Sequence, residues 1–303
     1  MPLVPMNTLL QHARKNHYAV GYFEAWNFES LLAVIDAAEE KNSPVIIGFN
    51  GGFLGNEERR IPENIKHYGA LVTEAAAHSK VPVSTIFNES GSVPDLIAAL
   101  KAGFLVIMHD HECCSHEESI SINQYLVRTA HYQGAEVEAE IGQLPAADHA
   151  GKTVSEGELT DPAAAIEFVM QTEVDALAVS VGNVHMLEGN KKSNLDLDLV
   201  EELRSKIAIP LVLHGGTGAD EDDLRRAIKL GVSKINIGTV LRRAFINSLK
   251  EYYQNNEVDD LDPNEITSTG GPRDMLVRAR KAVAGEVIRF IDLLGSSGQS
   301  ALR

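Results

Sequence analysis

Histidines and carboxylates in this chain fall at the ends of short apolar runs, where a buried strand would give way to a loop. The runs lead into Asn88-Glu89, His109-Asp110-His111-Glu112, Gly182-Asn183-Val184-His185 and His214-Gly215-Gly216-Thr217-Gly218, and one run carries Glu138 and Glu140 inside it. Imidazole nitrogens and carboxylate oxygens together can form a three- or four-ligand zinc shell with one position open to water or substrate. A lone strand-end histidine is more often held in the structure by hydrogen bonds, but His185 and His214 on neighbouring strands weigh against that for the pair. The run after His214 has a second use: its glycines let the backbone approach an anion, and Thr217 adds a hydroxyl. A tight turn would need the same glycines. Gly238-Thr239 at the end of the next run tips the reading towards phosphate.

The elements that must bring these residues together alternate along the chain. Apolar runs cover residues 19–23, 44–49, 81–87, 104–108, 135–141, 176–181, 210–213 and 234–237. Each is short and rich in Val, Ile, Leu or Phe, as strands covered on both faces are. Helical patterns cover residues 27–42, 62–80, 92–102, 116–133, 161–173, 197–207, 220–230 and 273–294. Asp161-Pro162 and Asp220 supply start signals, and Gly103, Gly134 and Gly231 supply stops. Eight strands alternating with helices predict an α/β fold, a single (β/α)8 TIM barrel filling residues 1–303 as one domain. No Gly-x-Gly-x-x-Gly follows the first strand, which disfavours a dinucleotide-binding sheet. Barrel active sites lie at the C-terminal ends of the strands, so the strand-end residues converge on one mouth. The longest break, 142–160, is polar and reads as a lid or binding loop.

Composition bounds the partners. The chain has 303 residues, 44% hydrophobic and 23% charged, ordinary for a globular protein. A formal net charge of −16 argues against nucleic acid, which needs a basic surface. No stretch approaches the ~18–20 apolar residues of a membrane span, and residues 1–11 lack the features of a signal peptide, so a cytoplasmic location is expected. The only cysteines, Cys113 and Cys114, are adjacent, which suits reduced thiols better than a disulfide framework.

Motifs in matching order run nearly end to end: Pro2-Leu3-Val4, Ala19-Val20-Gly21-Tyr22-Phe23, Asn50-Gly51-Gly52, Val137-Glu138-Ala139-Glu140-Ile141-Gly142, Val181-Gly182-Asn183-Val184-His185, Pro210-Leu211-Val212-Leu213-His214-Gly215-Gly216-Thr217-Gly218 and Lys234-Ile235-Asn236-Ile237-Gly238-Thr239. In these the chain resembles the class II, zinc-dependent fructose-bisphosphate and tagatose-bisphosphate aldolase family, as a divergent member. The resemblance implies retro-aldol cleavage, or the reverse condensation, of a ketose phosphate through a metal-bound enediolate, with Zn2+ or another divalent ion as Lewis acid. It implies a homodimer or homotetramer and a small-molecule sugar phosphate substrate. His185 and His214 look like two zinc ligands, and Glu140 is similar to the carboxylate beside the metal. Asn50, Gly215, Thr217, Asn236 and Thr239 look like substrate and phosphate contacts.

Four departures bear on the chemistry. Asn88 and Glu89 stand where the family has Asp-His, its proton donor and third zinc ligand. An amide cannot transfer a proton as a carboxyl can. Glu89 can still ligate a metal through oxygen, and His111 is a second candidate for the missing ligand. Met186 replaces a glycine, Leu144-Pro145-Ala146-Ala147-Asp148-His149 replaces a loop with a carboxylate pair, and Gly238 replaces a frequent Asp. Proton transfer is left to Asp110, Asp148 or His149 around the Asn88 position. A substrate other than fructose 1,6-bisphosphate is expected. The alternative is a lapsed or repurposed barrel that binds a sugar phosphate or a protein partner. A Schiff-base aldolase using Lys234 is a third reading, disfavoured because Lys234 is expected to begin its strand and lie far from the mouth.

Overall fold

The computed structural model describes residues 2–145, 157–184, 192–256 and 261–302. Eight parallel strands close in chain order: β1 Val20–Glu24, β2 Val45–Asn50, β3 Val83–Ser90, β4 Val106–His109, β5 Glu136–Ile141, β6 Ala176–Val179, β7 Leu211–Leu213 and β8 Val232–Ile237. Tyr22 pairs with Ile46 on one side and Asn236 on the other, which closes the ring. The helices are α1 Met6–Lys15, α2 Phe28–Glu40, α3 Gly51–Leu54, α4 Ile65–Ala77, α5 Val93–Lys101, α6 His116–Tyr132, α7 Pro162–Thr172, α8 Leu197–Lys206, α9 Glu221–Leu230, α10 Thr239–Asn255, α11 Pro263–Thr267 and α12 Met275–Leu294. Among the described residues, no helix is long and apolar enough to cross a membrane.

Side chains alternate across each strand, so one set faces the helices and the other fills the barrel. Phe23, Ile47, Phe87, Ile107, Leu177 and Ile235 belong to the large outer core beneath the helices. Val20, Tyr22, Ile46, Ile86, Val106, Met108, Ala176, Ala178 and Val212 form the inner core. Met6, Leu9, Leu10 and Ala13 of α1 join that inner cluster, so α1 stoppers the N-terminal end of the barrel. The opposite end is left for the site.

Local signals set the helix starts. Asn27 and Ser30 form a reciprocal capping box on α2, as Ser115 and Glu118 do on α6. Asp161 caps α7 with Pro162 at its first position, and Asp220 caps α9 through two backbone N–H groups. Four helices lie outside the elements read from sequence: the short α3 and α11, α1, which precedes the β/α alternation, and α10, whose N-terminus has no side-chain cap. One expectation is corrected. β8 begins at Val232, so Lys234 is its third residue, and its fully buried side chain points into the barrel.

Candidate active site

The inward positions at the C-terminal end of the barrel are polar where those below are apolar. β5 contributes Glu138 and Glu140, two residues apart and therefore on one face, and β8 contributes Lys234 and Asn236 by the same spacing. His214 follows β7 directly and is buried, with its main-chain oxygen held by the Asn183 amide at 3.0 Å. The Asn183 side chain also accepts from Val181 N–H at 2.8 Å, so the residues after β6 and β7 are tied together.

His214 lies at the centre of this group. Its Nδ1 is 3.1 Å from Glu89 Oε1 and 3.5 Å from Glu140 Oε2, and its Nε2 is 3.2 Å from Glu138 Oε1. Burial alone would depress the imidazole pKa. The charge of Glu140 and hydrogen bonds to Glu138 and Glu89 outweigh it and raise the value to about 10. Lys234 Nζ donates to Glu138 Oε1 at 2.8 Å and to Asn236 Oδ1 at 2.7 Å, and lies 4.9 Å from the Tyr22 ring centre. Burial pulls the Lys234 pKa down, while Lys234 and His214 hold Glu138 below the usual carboxylate range against its own burial.

Glu89 reaches His214 by a distortion of β3. The β3–β4 register shifts between Phe87 and Ser90, and Glu89 adopts a left-handed φ of 52°. A bulge of this kind re-aims a side chain, and a non-glycine residue in that region is strained. The neighbouring Asn50 amide donates to Glu89 Oε2 at 2.7 Å, which holds the carboxylate across the mouth.

His111 adjoins the group, with Nδ1 3.6 Å from Glu140 Oε2. Both its ring nitrogens, and Glu140 Oε1, are buried without a hydrogen-bond partner among the described residues. A cavity of about 300 Å³ opens beside them between the ends of β4 and β5 and the start of α6. Among the described residues, as they stand, no three His, Cys, Asp or Glu side chains are grouped to hold a metal ion. His185, Asp148 and His149 lie outside the described residues. The Asp110 carboxylate accepts from Glu112 N–H at 3.0 Å and so caps the short turn after β4. Cys114 is a free thiol whose pKa is raised, first by burial and then by Glu118 and Asp110, which makes it a poor nucleophile.

The loops after β7 and β8 meet where Gly216 N–H donates to the Asn236 main-chain oxygen at 3.1 Å. Gly215 takes a φ of 65°, open to glycine at little cost. Lys192 donates to the Thr217 main-chain oxygen at 3.1 Å and brings a cation to this loop. Thr239 opens α10, and Asn236 Nδ2 is buried without a hydrogen-bond partner among the described residues. At Gly238 a Cβ would lie 2.6 Å from Glu24 Oε2. The Glu24 carboxylate pairs with Arg242, whose guanidinium lies 4.8 Å from the Trp26 ring centre and 4.9 Å from that of Phe53.

The description "Fructose-bisphosphate aldolase class-II" fits this chain as a family model over residues 4–299. The chain belongs to that family. A fructose-bisphosphate aldolase of Geobacillus stearothermophilus is 35% identical over 306 residues, covering 99% of this chain and 100% of its own. The YdjI protein of Escherichia coli K12 is 35% identical over 294 residues, covering 95% and 96%. The crystal structure of the YdjI aldolase superimposes with a TM-score of 0.79 at 32% identity, over 98% of this chain and 99% of that one. The resemblance read from the motifs and the barrel fold both hold.

Within this class-II family member, the structure brings Glu89, Glu140 and His214 together, with His111 alongside and Asn50 behind Glu89. Asn88 is buried beside Asn50 in the β2–β3 register, its Oδ1 without a hydrogen-bond partner among the described residues. Sequence reasoning names Glu138 without giving it a role, sets Lys234 aside as remote from the mouth, and leaves out Lys192. The signal for the first two is there: charged residues two apart with Glu140 and Asn236 in buried strands have nowhere to point but the barrel interior.

Proposed function

We propose that this chain is a divalent-metal-dependent aldolase, a carbon–carbon lyase acting on a ketose phosphate or related hydroxyketone other than fructose 1,6-bisphosphate. The observation that carries the metal is the charge balance of the buried cluster. Among the described residues, Glu89, Glu138 and Glu140 bring three formal negative charges to the cluster, and Lys234 with protonated His214 returns two. Exchanging the His214 Nδ1 proton for a divalent cation balances the cluster. It also offers Glu140 Oε1 and one His111 nitrogen a partner. Zn2+ suits this mixture of imidazole and carboxylate. His214, Glu89 and Glu140 would hold it, with His111 adjoining and His185 as a further ligand by resemblance. When bound, the cation would supply Lewis-acid stabilisation of the negative charge that develops on the hydroxyketone oxygens.

The chain's own residues do the rest. Asn236 Nδ2 is a donor left to meet a substrate oxygen, and Asn50 holds Glu89 in place. Gly215, Thr217 and Thr239 form the phosphate cradle, with Lys192 supplying a countercharge. Asn88 accepts hydrogen bonds but has no proton to exchange, so proton transfer falls to Asp110, Asp148 or His149. The changed residues at Asn88 and Glu89 are why the substrate differs from that of the fructose-bisphosphate aldolases. We place the enzyme in the cytoplasm as a homodimer or homotetramer, after its family.

The second reading, a barrel that binds a sugar phosphate or a protein without turnover, is favoured by Asn88 alone. One experiment separates the two: metal content of the purified protein, with cleavage of a panel of ketose mono- and bisphosphates before and after chelation. Bound metal with cleavage lost on chelation and restored by zinc, cobalt or manganese supports the aldolase. Ligand binding with no cleavage under any metal supports the second reading.

A further inference from the structure

We propose that the buried Lys234–Glu138 pair is a positioning device that sets the polarity of two site groups at once, His214 and Asn236; this rests on the metal reading above. Imidazole can present either nitrogen to a ligand, and a carboxamide can present oxygen or nitrogen. Which one faces the site is decided by what holds the other. Here the holders are specific. Glu138 Oε1, 3.2 Å from His214 Nε2, accepts a proton and keeps it there, which leaves Nδ1 as the atom facing Glu89 and Glu140. Lys234 is a donor only, so the Asn236 atom 2.7 Å from it is the oxygen, and Nδ2 is turned away as a donor without another partner among the described residues.

The two branches share one origin. Lys234 Nζ contacts the same Glu138 oxygen that faces His214 and so holds that oxygen where Nε2 meets it. Without it, that oxygen loses the contact that fixes it opposite Nε2. Without it the Asn236 amide also loses the contact that fixes its orientation. Neither Lys234 nor Glu138 touches substrate in this scheme; each acts through a neighbour. The Tyr22 ring, 4.9 Å from Nζ, packs against the ammonium and closes off water from that side.

Removing one charge of a buried pair can unfold a protein, whereas replacing both by matched neutral residues is often tolerated. The test therefore compares two double variants in the full chain, E138Q/K234M and E138L/K234M. The glutamine variant keeps an oxygen acceptor for Nε2 and the leucine variant does not, while charge and size are matched. With both confirmed folded by circular dichroism and thermal midpoint, zinc affinity is measured by competition with a chromophoric chelator, and the zinc-loaded His214 is read by 15N shifts. The expected result is native-like Nδ1 ligation in E138Q/K234M, with affinity near native. E138L/K234M should bind zinc roughly 10- to 100-fold more weakly, the range for losing a partner behind a ligand. Both should share a raised KM, because both have lost the Lys234 hold on Asn236. Equal zinc affinity in the two variants overturns the inference while leaving the metal site standing. A native protein that takes up no zinc, cobalt or manganese overturns the site reading and this inference with it.

Discussion

Glutamine at Glu136 should make the protein more stable at pH 8 and leave it unchanged near pH 4. Glu136 opens β5 at the closed end of the barrel, and both its oxygens accept from Asn7 N–H, at 3.1 and 3.2 Å, in the first turn of α1. A carboxylate at a helix N-terminus is usually stabilised by the helix dipole. Here burial is the larger effect and Asp175 adds repulsion, so the pKa rises from 4.5 to about 7 despite the backbone donors. A raised carboxyl pKa means the fold holds the proton more tightly than the unfolded chain does. Stability from this group is therefore full below pH 4.5 and is lost as pH rises to about 7. That gap corresponds to roughly 3 kcal/mol, and at roughly 2 °C per kcal/mol for a chain of this size, to about 6 °C in thermal midpoint. The assay is the midpoint of the native protein and of E136Q at several pH values from 4 to 8. Glutamine keeps an oxygen for Asn7 and cannot ionise, so the variant should overtake the native protein by several degrees above pH 7. If the native protein instead gains on E136Q as pH rises, the helix dipole outweighs burial and the reasoning is wrong.

Other outcomes follow from the open end of the barrel. H214A should abolish tight zinc binding, beyond the roughly 100-fold loss expected for a partner behind a ligand, as chelator competition would reveal. N236D replaces an unsatisfied donor by an acceptor and gives Lys234 a second carboxylate; kcat/KM should fall while zinc affinity changes little. K192A removes the cation from the Thr217 loop, so KM should rise for a phosphorylated ketose and stay level for its unphosphorylated counterpart. G238A forces a methyl against Glu24 and should lower stability by about 1–3 kcal/mol, read by thermal melting.

The barrel is legible because strands buried on both faces leave short apolar runs, and eight of them at regular intervals admit few architectures. What periodicity misses is α1, which plugs the barrel outside the alternation, α10, which has no side-chain cap to announce it, and the single turns α3 and α11, too short to show a period. Within the site, His214 and Glu140 are readable from their strand-end positions. Glu89 is readable as a candidate, but its reach to His214 depends on a bulge and a φ of 52° that no local pattern signals. A two-residue error in where β8 starts misplaces Lys234. In a strand such an error changes depth along the barrel while keeping the face, which is why the residue reads as remote when it lies directly beneath the cluster.

Gly238, just past β8, and Glu24, at the end of β1, fill one volume from two places in the chain. The carboxylate there belongs to the space rather than to a place in the chain. A sequence that moved it from the end of β1 to the turn after β8 would have to shorten residue 24 and lengthen residue 238 together, since one change alone gives an overlap and the other alone a void beside Arg242. Contacting positions of this sort typically deviate from additivity by about 0.5–3 kcal/mol. The two sites should drift through related sequences as a pair, and a residue borrowed from a relative at either one should fail unless its companion is borrowed with it.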